Sequence, residues 1–183
     1  MAQDRQSWQV KDTAILEELI TLTKLDPEEA KALSALQDQA RSVAPQLLEQ
    51  FYGRLFAHEN TAEYLQGASI ERLHQMVSEW FVDIFSGVYD AAHAEKRLKI
   101  GKIHVKIGLP VRYPLAMLDV IIPFGEQIAL QSSNPELALS AFRKVLALDI
   151  AIFNQAYEDN QLQHLAELVG GERLARLLLS GAG

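Results

Sequence analysis

The 183-residue chain contains no cysteine. That removes disulfide scaffolds, cysteine zinc sites, iron–sulfur clusters, thiol nucleophiles and any cofactor attached through a thioether. Strand signals are also missing: there is no β-branched alternation and no Asn-Gly turn. No stretch approaches the ~18 apolar residues of a membrane span, and the best apolar run, Val120 to Phe124, contains Pro123. The first 25 residues lack a basic start followed by an apolar core, so no secretory signal is expected and a cytoplasmic location is. A Ser-His-Asp order, a phosphate loop and a metal-binding HExxH are absent, and no carboxylate pair stands out from a solvated face. The sequence therefore reads as a non-enzyme. Its net charge of −7 argues against nucleic acid or an anionic membrane as partner.

What is present is helix. Asp26-Pro27-Glu28-Glu29 combines a capping side chain, proline at the first helical position and acids in the first turn. Asp90 and Asn134-Pro135 open later helices, and Gly87 and Gly170 close helices. The pattern predicts helices over about 8–24, 26–43, 45–57, 69–86, 90–108, 112–132, 134–168 and 172–179. Pro45 is expected to break or bend the chain, and Pro114 and Pro123 to bend the sixth segment. The class is all-α, with lengths too unequal for an up-down bundle.

Charge is uneven along this chain. From Lys96 to Arg112 there are six cations and no acid, so the segment is +6 and the remainder carries −13. On a helical wheel, Lys99, Lys102 and Lys106 fall on one face, and Ile100, Gly101, Ile107 and Gly108 cluster around His104 on the other. A histidine aimed into apolar surroundings has two readings. It is a core residue satisfied by a backbone carbonyl, or an axial ligand to a haem iron, with Ile100 and Ile107 walling the porphyrin and Gly101 leaving room for it.

The run Arg97 to Leu109 has the pattern Arg-x-x-Ile-Gly-x-x-His-x-x-Ile-Gly-Leu, followed by Pro-x-Arg-aromatic. It resembles the proximal-histidine segment of the globin-coupled sensor and protoglobin lineage. Gln50 to Leu55 is similar to that lineage's distal-tyrosine helix, and Trp80 to Asp90 to its aromatic-rich helix and following corner. The resemblance covers about Asp26 to Tyr157. It implies an all-α globin fold, a three-over-three helical sandwich with an extra N-terminal helix. The expected division is residues 1–25 as extension, 26–169 as globin and 170–183 as a short tail, with no room for an output domain. It further implies non-covalent haem b on His104, a sensor of oxygen or another diatomic gas or of redox state, and a homodimer formed by the last two long helices. The wide apolar surface of the final helix agrees with such a dimer. A non-signalling oxygen-handling globin and a non-haem regulatory domain of stressosome type are the alternatives.

On the distal side the resemblance implies Tyr52 as hydrogen-bond donor to the gas; otherwise it is a half-buried tyrosine at the core edge. His74 lies in an apolar stripe with Val77 and Phe81. It is a distal donor, a sixth iron ligand or a rim histidine. Val77 is expected against the ligand and Phe81 against the cofactor. Where the lineage often has a Trp-Tyr pair, this chain has Tyr113-Pro114, so Tyr113 is expected to support the proximal imidazole from one position away. Arg97 is either a propionate partner or one more cation of a solvated helix. His58, His93 and His164 are expected at the surface.

Overall fold

The computed structural model describes residues 6–181, so residues 1–5 and 182–183 of the expected extension and tail lie outside the described residues. Ten α-helices and two 3-10 turns (Gln6–Gln9 and Glu63–Leu65) make up the described chain. In order the helices are α1 (Ala14–Thr23), α2 (Pro27–Ser34), α3 (Gln37–Ala57), α4 (Glu59–Ala62), α5 (Ile70–Asp83), α6 (Ala91–Lys106), α7 (Arg112–Ala116), α8 (Leu118–Ala129), α9 (Pro135–Val169) and α10 (Glu172–Leu179).

Side-chain caps fix the starts of four helices, α2, α5, α6 and α9. Asp26 accepts from the backbone N–H groups of Glu28 and Glu29, and the Glu29 carboxylate accepts from the Asp26 N–H, a complete capping box. Ser69, Asp90 and Asn134 cap α5, α6 and α9 in the same manner. Gly170 ends α9 in the left-handed region at φ 84°.

Proline placed some boundaries differently from expectation. Pro45 lies inside α3 without ending it. Its neighbours Ala44 and Leu47 are wholly buried in the main core, and that packing holds the helix together across the missing N–H. The break falls earlier, at Ala35–Leu36, where the Leu36 N–H turns back to the Leu33 carbonyl. The expected 112–132 helix divides at Met117 into α7 and α8, and Pro123 sits within α8. The first helix starts at Ala14 rather than near Trp8, because Asp12 takes a left-handed turn at φ 52°.

Two apolar clusters hold the layers. The larger joins α2, α3, α5, α8 and α9 through Leu33, Leu47, Phe81, Phe85, Ile121, Ile128 and Phe142. The Phe85 and Phe142 rings stack with centroids 5.7 Å apart, and Gly125 lies directly beneath the Phe142 ring, where a side chain would collide with it. Phe81 is completely buried in this cluster, so it is a core residue and not, as expected, part of a cofactor wall. The smaller cluster seats α1 on α6 and α9, through Ile15 and Leu16 against Ala94, Leu98, Leu148 and Ile152.

Helix α9 runs through the centre of the fold. It packs against α1, α2, α6, α8 and α10, and its buried residues lie on several sides. Its wide apolar surface is therefore largely satisfied within the chain. No helix of the described residues is long and apolar enough to cross a membrane.

Candidate functional site

Helices α3, α5, α6, α7, α8 and α9 enclose a cavity of about 250 Å³. Its wall is mostly apolar: Leu55, Leu73, Met76, Val77, Ile100, Ile107 and Phe153 contribute, with Tyr52 from α3 and His104 from α6. Arg97 and Tyr113 also reach it. The sequence-predicted Tyr52, Val77, Ile100, His104, Ile107, Tyr113 and Arg97 are thus brought to one site.

His104 is held in a defined state. Its Nδ1–H donates to the Ile100 carbonyl at 2.8 Å, one turn back on the same helix. A carbonyl only accepts, so the proton sits on Nδ1 and Nε2 keeps a free lone pair. The edge of the ring meets Phe153, with centroids 5.3 Å apart. Burial lowers the imidazole pKa from its ordinary 6.5, and the carbonyl bond opposes this more weakly. The result is a neutral imidazole of fixed orientation with an unshared electron pair. Both readings of His104 meet here: the carbonyl bond that would satisfy a core histidine is also the bond that orients a metal-ligating one. That support comes from Ile100 and not, as expected, from Tyr113. The Tyr113 ring packs instead near the rings of His58 and Tyr64, at 6.2 and 6.4 Å.

Tyr52 is 5% exposed. Burial pushes its hydroxyl pKa up to about 12, so the group is a protonated donor at any physiological pH. Its ring packs on Phe51 and on His74, the latter at 4.5 Å. His74 itself is not among the residues that line the cavity. It stands behind Tyr52, because the cavity face of α5 is occupied by Leu73, Met76 and Val77. Of the three positions expected for His74, the structure shows it against the Tyr52 ring rather than in the cavity wall.

Gly101 also faces elsewhere. A Cβ there would come within 2.5 Å of the Phe153 carbonyl oxygen and 2.7 Å of the Ala156 Cβ. Its role is the close crossing of α6 on α9, not clearance for a flat ligand.

Beside the cavity lies a buried charge cluster that sequence reasoning missed. Arg97 is 2% exposed, which excludes the solvated-cation reading. Its Nε donates to Asp149 and its Nη1 to Asp83, each at 2.7 Å. Asp149 also accepts from His93 Nε2 at 2.7 Å and from the Trp80 indole N–H at 3.0 Å. His93, expected at the surface, is 3% exposed, because it sits on the α6 face that meets α9. The cluster ties α5, α6 and α9 together and leaves Arg97 Nη2 without a partner. The signal in the sequence was Asp149 itself, a lone acid in the apolar run Val145 to Phe153. Among the described residues no group of His, Asp and Glu is arranged to hold a metal by itself, so His104 offers a single protein ligand.

Comparison with known proteins places these features in a lineage. The family model described as Protoglobin matches residues 12–163. The heme-based aerotactic transducer HemAT of Halobacterium salinarum is 27% identical over 177 residues, a match covering 88% of this chain. The chain spans about a third (36%) of that relative's length. Among solved structures, the globin domain of the Geobacter sulfurreducens globin-coupled sensor is 29% identical with a TM-score of 0.71, covering 77% of this chain and 96% of that one. The ferric globin domain of E. coli DosC shares the fold at a TM-score of 0.62 and 17% identity, over 78% of this chain and 99% of that one. The fold is the globin fold that the motifs implied.

Proposed function

The chain belongs to the Protoglobin family, and from that premise we propose that it is a haem b sensor globin for oxygen or a related diatomic gas, with His104 as proximal iron ligand. The observation that carries the reading is His104: a neutral imidazole, oriented by the Ile100 carbonyl, with Nε2 free in an apolar cavity. The residues fit the group. Haem needs one strong axial donor, an apolar enclosure for its macrocycle and no covalent thioether, and the chain has each while lacking cysteine.

Haem, when bound, would supply an iron able to take a diatomic gas, held by His104 Nε2. The protein's part is to present Nε2, exclude water with Leu55, Val77, Ile100 and Phe153, and offer the Tyr52 hydroxyl as donor to the gas. The Tyr52 hydroxyl makes no hydrogen bond to the described residues, so it is available. The transducer relative and the sensor relative favour signalling over storage as the use of gas binding. As in those relatives, the globin unit is proposed to act within a larger signalling system. A homodimer through α8 and α9 is part of the proposal, and Ile122 and Leu130 of α8 and the segment after it supply exposed apolar surface for it.

The test is absorption spectroscopy of the purified protein with haem. The wild type is expected to give a Soret band and a five-coordinate ferrous spectrum, the same in His74→Leu. In His104→Ala the iron–imidazole signature should vanish and return with added imidazole. An unchanged spectrum in His104→Ala would overturn the assignment, and no Soret band in the wild type would overturn the haem reading altogether.

A further inference from the structure

The apolar cavity is small for its task. At about 250 Å³ it lies just below the ~300 Å³ at which pockets for whole small molecules begin. It adjoins a groove of about 720 Å³ between α3, α5 and α6, and Met76, Trp80, Arg97, Ile100 and Ile103 line both.

The chemistry changes along this path. The groove adds Arg41, Arg72, Lys96 and Lys99, against the acids Glu79 and Asp83. Most of these charges are already engaged. Arg41 pairs with Asp38 at 2.7 Å, Lys96 with Asp83 at 3.4 Å, and Glu79 accepts from the Gln75 amide at 2.7 Å. Arg97 spends Nε and Nη1 on Asp149 and Asp83. The side chains of Arg72 and Lys99 make no ion pair or hydrogen bond among the described residues. Arg72 comes from α5 and Lys99 from α6, so the two border the groove from different helices. The Arg97 guanidinium, 2% exposed, lines the same groove and has Nη2 without a partner.

A ligand suited to this path has a flat apolar body and an anionic edge. We infer that Arg72 and Lys99 form the anchoring site for the two carboxylates of haem at the groove mouth. Arg97 does not take that role, because its fork already holds Asp83 and Asp149 together. The inference rests on the haem reading. Exposed cations act on such carboxylates through water, so the attraction is modest and screened by salt. It sets how fast haem leaves and which way round it enters, while Nε2 of His104 sets whether it binds.

The experiment measures haem loss to excess apomyoglobin, followed in the Soret region, for wild type and the double variant Arg72→Gln/Lys99→Gln. Both side chains are exposed, so the variant keeps its fold, which circular dichroism checks. Loss of two charge pairs of this kind should speed haem release by about tenfold at low ionic strength. Added salt should speed release from the wild type and leave the variant almost unchanged. Haem dimethyl ester, whose carboxylates are masked, should leave both proteins at equal rates. Equal rates and equal salt dependence with free haem would overturn the anchoring site and leave the haem reading intact. Absence of haem binding by the wild type would overturn both.

Discussion

Removing the Asp149 carboxylate is the most severe single change that the charge cluster predicts. Asp149→Ala takes away one acceptor atom from His93 and the other from both Arg97 and Trp80. Arg97 keeps Asp83 through Nη1, so one charge pair survives, but its Nε and the His93 and Trp80 N–H groups lose their partners. His93 and Arg97 are 3% and 2% exposed, so water reaches those orphans only if the helices part. Breaking a buried ion pair from one side costs about 3–5 kcal/mol. With the Asp83 pair retained, a value near 4 kcal/mol is expected. That is a large share of the ~5–15 kcal/mol total of an ordinary domain. With a urea slope of about 2 kcal/mol/M, the unfolding midpoint of the haem-free protein should fall by about 2 M. The pair Arg97→Met/Asp149→Leu should recover about half of the loss, since apolar replacement of both partners removes the uncompensated charge. A midpoint for Asp149→Ala within about 0.5 M of wild type, near 1 kcal/mol on that slope, would show that the cluster is wet or unformed and refute the reasoning.

Two further outcomes follow from single residues. In Gly101→Ala, the new Cβ meets the Phe153 backbone carbonyl, which cannot swing aside. Overpacking of about 1–3 kcal/mol outweighs the helical gain of up to about 1 kcal/mol, so the haem-free protein should lose stability in urea; a variant as stable as wild type would return Gly101 to the ligand-clearance role. Tyr52 has its pKa raised by burial from the ordinary 10 to about 12, so between pH 10 and 12 the unfolded chain loses that proton first. Stability present below pH 10 is therefore lost as pH rises through that window. Tyr157 behaves alike, and burial raises Tyr89 as well, so Tyr52→Phe should make the alkaline fall in urea midpoint shallower without abolishing it. An unaltered slope would mean that the Tyr52 hydroxyl is solvated.

Local signals in this chain were readable because local chemistry decides them. The caps at Asp26, Asp90 and Asn134 each need only a side chain and the N–H groups two or three residues on, and all three operate as expected. The apolar faces of α5 and α6 likewise delivered Val77, Ile100, His104 and Ile107 to one cavity, since 3.6-residue periodicity places a whole face together. What periodicity cannot say is which neighbour a face meets. Phe81, His74 and Gly101 share faces with true cavity residues, yet they are claimed by the Phe85–Phe142 core, by Tyr52 and by α9. His93 read as surface, and Arg97 as either a propionate partner or a solvated cation, because polar side chains usually reach solvent; Asp149, delivered by α9 56 residues from His93, together with Asp83 makes their burial tolerable. That same pairing bears on function. The cluster fixes α6 against α5 and α9 beside the cavity, through Arg97 and His93 on α6, Asp83 on α5 and Asp149 on α9, so the helix that presents His104 is clamped to both neighbours before it reaches that residue.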